Sequence, residues 1–455
     1  MKTKSKISFI ATTSHKFFST SSCPHRCPTT LTHSLTITAN DTSILVLGGG
    51  GRVGVSTLRN LRRLIDSAPG QDYNADLNDL KVTIAGRNAK RARAAASKLN
   101  LEWTTQDDLD QRVDWVTVDA GNEKEVSQVL NKRRYKLVVN IAGPFQYNKG
   151  KGDNLGAIGA CIKAGVGYLD VCDSVDYSRW EKHVYTKLKN EGYDNSCCWI
   201  CTGIYPGVSN LMAAVGIEKL GAEEVEEVEE VKFSYYTAGS GGVGTTILAS
   251  TFGLLAEDVE TFDSQKGEVL KKPGSDSQFI DFEGSIGEKE VYLLNLPEVV
   301  SLYENALDGK GGVSARFGTD PPVWNWLLKL TARKVPANIL TNKSVVGLLS
   351  TISIPIVRLV DKLSGAKTAI RVDALGKNGS KTTSIYEHDS LEQCVGEATA
   401  AFVFERLRAD TFGVDRSSGF LFPEQLGRSI CERILLNATK TANRFITDVP
   451  QLLKR

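Results

Sequence analysis

Four apolar residues, Ile44 to Leu47, run without a polar break into four glycines, Gly48 to Gly51. An uninterrupted apolar run closed by turn residues predicts a strand buried on both faces. Val55, Leu58, Leu61, Leu64 and Ile65 then recur at helical spacing, so a helix follows the turn. The alternation repeats. Strands are predicted at 82–85, 115–119, 137–141, 167–173 and 197–202, with helices over 154–164 and 175–191. Strands alternating with helices predict an α/β fold with a parallel, doubly wound sheet.

Beyond residue 205 the pattern changes. An acidic stretch, Glu223 to Glu230, leads into a strand over 231–236. A second glycine-rich turn, Gly239 to Gly244, precedes an apolar helix over 247–256. Alternation at 370–373 and 382–386 predicts an antiparallel hairpin turned at Lys377-Asn378-Gly379. The Ala-rich stretch Val395 to Leu407 predicts a helix returning to the first domain. The expected organisation is a first domain over 41–205, an α+β substrate domain over 206–390, and C-terminal helices over 391–455.

Gly49-x-Gly51-x-x-Gly54 sits between the first strand and the first helix. There it fits a dinucleotide fingerprint. The first glycine permits the turn, the second lets backbone approach a pyrophosphate, and the third lets helix pack on strand. Gly48, Arg52 and Val53 share this loop. The second strand ends in Gly86-Arg87-Asn88. An acidic residue there suits the ribose of NAD; Arg87 instead suits the 2′-phosphate of NADP. Asp119 ends the third strand, where it can meet the adenine side or cap the next helix. The fourth strand opens onto Ala142-Gly143-Pro144-Phe145. Small residues there let a cofactor cross the sheet edge, and Phe145 can wall a nicotinamide.

The chain has 455 residues and a formal net charge of +2, which gives no reason to expect nucleic acid. Residues 1–40 contain no Asp or Glu and are rich in Ser and Thr. That composition predicts a transit peptide, with plastid favoured over mitochondrion. Cys198 and Cys201 form a CxxC inside a predicted strand, where core packing outweighs redox chemistry. Three of the five histidines (His15, His25 and His33) lie in the first 40 residues, and no metal site is expected.

The chain resembles the saccharopine dehydrogenase-like oxidoreductases. The resemblance is carried by Gly48 to Gly54, Ala85-Gly86-Arg87, Val139 to Phe145, Ala164 to Asp170 and Gly203 to Asn210. It continues through Phe233 to Gly239, Tyr292 to Glu298 and Ala315 to Thr319, and ends near Phe422-Pro423-Glu424. It is nearest to the plastid-type branch of plants and algae. The resemblance implies an NADP-binding Rossmann domain, a second α+β domain and oxidoreductase activity. It does not fix the substrate.

Hydride transfer also needs a group to exchange a proton. Asp173, Tyr205 and Tyr168, at or near strand ends, are the catalytic candidates. Asp173 reads equally as a helix cap, and Tyr205 as packing. The backbone N–H groups of Ser209 and Asn210 are candidate substrate donors at a helix start, although Ser209 also suits an N-cap. Gly241 belongs to a candidate lid or substrate loop. A short-chain dehydrogenase is the alternative within enzymes, from Tyr147/Lys151 or Tyr185/Lys189. A non-catalytic, lipid-associated NADP-binding protein is the alternative outside them.

Two apolar features bear on the second alternative. Pro321 to Leu328 carries two tryptophans, and Ser344 to Val357 carries no charge. Core packing is favoured for both, with docking on a lipid surface left open. The expectation is therefore an NADP(H)-dependent oxidoreductase acting on a small plastid metabolite. Its partners are a small-molecule substrate and no nucleic acid; a lipid surface and a homodimer stay open.

Overall fold

The computed structural model describes residues 42–67, 75–103, 112–150, 152–220, 227–239, 245–411 and 419–448. Residues 1–40, where a transit peptide is expected, Gly241 and most of the second glycine-rich loop lie outside them.

The first six strands follow the predicted order: β1 Ser43–Leu47, β2 Lys81–Gly86, β3 Val113–Thr117, β4 Leu137–Asn140, β5 Gly167–Asp170 and β6 Cys197–Trp199. The later strands are β7 Val228–Ala238, β8 Val259–Asp263, β9 Gly267–Lys271, β10 Gln278–Asp281, β11 Glu288–Leu293 and β12 Gly312–Asp320. They end with β13 Lys367–Gly376, β14 Lys381–His388, β15 Gly419–Leu421 and β16 Arg444–Thr447.

The first sheet runs β15-β6-β5-β4-β1-β2-β3, and every pair in it is parallel. This is the Rossmann order extended by one late strand, β15, which the sequence pattern does not announce. The order reverses at β1, between β2 and β4, and open α/β sheets bind ligands where this happens. Both faces of β1 are covered. Leu45 and Leu47 join one apolar cluster with Val138 and Ile158. Ile44 and Val46 join the other with Leu58 and Leu61. Double burial is why β1 reads as a continuous apolar run.

Strand ends are set by specific side chains. The predicted fifth and sixth strands are longer than those observed. Asp170 Oδ1 accepts the N–H of Cys172 (3.0 Å) and that of Cys201 (2.9 Å). These bonds draw both chains out of the ladder and tie the two strand ends together. Cys198 and Cys201 are buried free thiols. The next helix, Val175–Asn190, is capped by Ser174, whose hydroxyl accepts the N–H of Tyr177. Ser174, and not Asp173, therefore carries that cap.

Helix Leu391–Thr411 returns to the first sheet and packs on helix Arg52–Ser67. A Cβ at Gly396 would lie 2.9 Å from a backbone carbon of Ser56, so glycine lets the two helices close. Arg63 and Glu397 pair across the contact.

The second sheet runs β10-β11-β12-β7-β13-β14-β16, with β8 paired to β12 and β9 to β8. Its one parallel pair, among the described residues, is β7 with β12. The hairpin β13–β14 turns where predicted, with Gly379 at φ +80°. β16 closes the far edge, so the C-terminal segment serves both sheets.

The two apolar stretches form helices Pro322–Lys334 and Lys343–Ser364. Neither is wholly core. Trp326 is 60% exposed, Leu348 61% and Ile352 59%. A helix turns only part of its surface inward: Leu328 and Ile354 line the cavities described below, while these three face out. No helix among the described residues is long and apolar enough to cross a membrane.

Candidate active site

The glycine turn and the ends of β2, β4 and β5 enclose a crevice of about 600 Å³. Gly48, not Gly49, adopts the turn conformation, at φ +79°. A Cβ there would lie 2.7 Å from Ile141 O. Gly49 lies beneath, its N–H bonded to Val46 O at 3.1 Å. Gly54 has the expected packing role, since its Cβ would fall 2.6 Å from Gly49 Cα. Gly51 differs from both. The nearest atom to its Cβ is Gly48 O at 3.0 Å, and its remaining side lines the crevice. This is the backbone edge that a pyrophosphate can approach.

Arg52, Val53, Arg87, Asp119, Ala142, Gly143 and Phe145 also line the crevice; Pro144 does not. Arg87 is exposed, and no described residue pairs with its guanidinium. Arg91, one helical turn further on, joins it at the same rim. Its Nε donates to Gly50 O at 2.9 Å, which ties the glycine loop to helix Ala89–Trp103. The sequence reading missed Arg91, although its spacing from Arg87 places both near one helix start. Asp119 turns its carboxylate to the loop, where Oδ1 accepts the Gly121 N–H at 3.0 Å. The helix cap falls instead to Asn122.

A second cavity, of about 190 Å³, lies between the strand ends and the second sheet. Asp173, Tyr205, Ser250 and Leu391 line both cavities. Asp173 Oδ1 accepts from Gln146 Nε2 at 3.3 Å. Ser250 reaches the same Gln146 at 3.3 Å. Burial pushes the Asp173 carboxyl up to about 6, a shift that these hydrogen bonds limit. Tyr205 stacks on Tyr235 with ring centroids 4.8 Å apart, and its hydroxyl lies 3.3 Å from Thr237 Oγ1. Burial pushes that hydroxyl up to about 12. Ser250 and Gln146 are further residues the sequence did not mark. They come from helix Thr245–Leu254 and from the short turn after β4, and only tertiary packing brings them to Asp173.

Three expectations are corrected. Tyr168 is fully buried; its hydroxyl accepts from Asn140 at 2.9 Å and donates to Glu181 at 2.9 Å. It belongs to the core and lines neither cavity. Ser209 and Asn210 are also fully buried. The Ser209 N–H is already bonded to Ile204 O at 3.1 Å. The Asn210 side chain caps its own helix through Gly207 and bonds Glu424 at 2.8 Å. Neither residue lines a cavity, so neither is placed to meet a substrate. The short-chain dehydrogenase pattern fails at Tyr185, which is buried against Phe420 away from both cavities.

Residues 44–194 match the family model of the saccharopine dehydrogenase NADP binding domain. Apo saccharopine dehydrogenase (L-Glu forming) from Saccharomyces cerevisiae is similar in fold. It is 11% identical over 89% of this chain and 99% of that one, with a TM-score of 0.55. A probable dehydrogenase from Thermotoga maritima is 11% identical over 90% of this chain and 99% of that one, with a TM-score of 0.38. No curated protein sequence matches the chain. The chain thus carries an NADP-binding domain of an oxidoreductase family, and its cofactor is NADP.

Proposed function

We propose that this chain, built on a saccharopine dehydrogenase-type NADP-binding domain, reduces a small carbonyl compound, or oxidises the corresponding alcohol, between its two sheets. The observation that carries this is the shared wall: Asp173, Tyr205, Ser250 and Leu391 border the glycine-lined crevice and the second cavity alike. The crevice suits NADP. It offers an open backbone edge at Gly51 for pyrophosphate and, for the 2′-phosphate, Arg87, which has no partner among the described residues. When bound, the reduced nicotinamide supplies the hydride.

The protein's own part is positioning and proton handling. Asp173 sits at the junction with a carboxyl near 6, so it carries a proton in part of the population at neutral pH. Gln146 and Ser250 hold it in place. Tyr205 stays protonated and can orient the carbonyl oxygen. The two packed walls exclude water, which aligns donor with acceptor.

The purified full-length chain should quench or shift NADPH fluorescence and should consume NADPH with at least one aldehyde or ketone. Binding without consumption across a broad carbonyl panel would favour a non-catalytic NADP-binding protein instead.

The plastid assignment, from the nearest branch and from the acid-free residues 1–40, is part of this proposal. Those residues fused to a fluorescent protein should enter plastids. Fluorescence confined to the cytosol would refute it.

A further inference from the structure

The second cavity is unusual for an oxidoreductase acting on charged metabolites. Its walls are Leu254, Leu294, Leu296, Phe317 and Leu328, with further leucines behind them. Asp173, Tyr205 and Ser250 mark the end that meets the crevice, and Thr237, Thr251, Thr319 and Asn325 add uncharged polar groups elsewhere on the wall. Among the described residues only two charged side chains reach the cavity, Asp173 and Lys329. The Lys329 ammonium lies 4.1 Å from the centroid of the Tyr292 ring, so an aromatic face already attends to that charge. No described arginine lines the cavity.

An amino acid or dicarboxylate bound here would bring its carboxylates into a largely apolar space with Lys329 as the one described cation to meet them and the Asp173 carboxyl at the reactive end. Burying an anion in that way is strongly unfavourable. The opposite arrangement costs nothing: a molecule with one polar reactive end and a hydrocarbon remainder matches the lining point for point.

Resting on the oxidoreductase reading above, we infer that the substrate is an uncharged lipophilic aldehyde or ketone. Its carbonyl lies at the Asp173 end and its hydrocarbon chain among the leucines. The corresponding product is the alcohol. In the reducing direction a bound reduced nicotinamide would supply a hydride to the carbonyl carbon and become NADP⁺; the π pair would pass to oxygen, which would take a proton from the Asp173 carboxyl, itself reprotonated from solvent.

A homologous series tests this. The full chain is assayed with NADPH and butanal, hexanal or octanal, with 2-oxoglutarate as the charged comparison. In parallel, binding of butanol, hexanol and octanol is titrated calorimetrically in the presence of NADP⁺. Each added methylene buried in the cavity should raise kcat/KM and alcohol affinity by roughly fourfold. Leu328→Glu should weaken octanol binding at least about tenfold while NADPH binding stays close to that of the unaltered chain. Leu328→Phe, which keeps the wall apolar, should retain octanol binding and controls for folding.

A ladder in alcohol affinity without any turnover would keep the lipophilic cavity and overturn the oxidoreductase reading. Turnover of aldehydes with no dependence on chain length would keep that reading and overturn the inference. Preference for 2-oxoglutarate, or equal loss of butanol and octanol binding in Leu328→Glu, would also overturn it.

Discussion

Asp173→Asn is expected to lower NADPH-dependent carbonyl reduction by about 10²–10⁴-fold, the range for loss of a positioned general acid. NADPH affinity should change little, because Asp173 lies at the nicotinamide end of the crevice, away from Arg87 and the glycine turn. The pH dependence gives a separate signature. Burial raises the Asp173 carboxyl to about 6. Reduction needs its protonated form, so the rate should level off below pH 6 and fall about tenfold per pH unit well above it. Oxidation needs the carboxylate, so the reverse reaction should rise through the same range.

Asn at 173 should flatten both limbs. Glu257 is also raised, to about 7, chiefly by burial and partly by Asp176 and Asp173. It lines neither cavity. A limb near pH 6 that survives in Asp173→Asn would move the proton role to another group.

The second large effect separates two parts of cofactor binding. Gly51→Val should abolish detectable binding of both NADPH and NADH. The substitution is informative because it disturbs the fold least of the three glycines: Gly51 does not have a positive φ, and its Cβ would meet only Gly48 O, a close contact at 3.0 Å. The added side chain instead fills the space a pyrophosphate needs. Gly48 and Gly54 would make poorer tests, since a Cβ there strikes backbone within 2.7 Å and 2.6 Å.

Arg87→Asp should act differently. It replaces a phosphate partner with a repelling charge and should weaken NADPH over NADH by roughly 10- to 100-fold, the worth of one charge-assisted hydrogen bond. Fluorescence titration of both nucleotides measures all four affinities. Equal losses in Arg87→Asp would remove that residue from the 2′-phosphate site.

The first sheet was legible because its strands are buried on both faces and its helices carry apolar stripes. Local pattern alone reveals such elements. The second sheet was legible only in pieces. The hairpin at Lys377 to Gly379 announces itself by its turn, but the parallel pairing of β7 with β12 joins residues more than 70 apart, and no local signal encodes it. β15 and β16 are short segments whose sheets are chosen by tertiary packing.

The site divides along the same line. Arg87 and the glycines follow a strand and were visible. Tyr168 looked catalytic because its strand runs toward the crevice, but it lies near that strand's start and its hydroxyl is satisfied in the core by Glu181 and Asn140. Ser209 looked like a free helix donor until the preceding turn folded back and took its N–H, and Asn210 beside it is buried, its side-chain oxygen accepting the Gly207 N–H. Trp326 looked like core because hydrophobicity does not say which side of a helix will find a neighbour.

The wall common to both cavities has a thermodynamic consequence. On the proposed function, Asp173, Tyr205, Ser250 and Leu391 take part in two binding events at once. Ordering them for one ligand leaves less to be ordered for the other. The gain must then be mutual: whatever factor NADPH adds to substrate affinity, substrate adds to NADPH affinity. The carbonyl compound thus acts as more than the material consumed. Its abundance also sets how firmly the chain retains its nucleotide between turnovers.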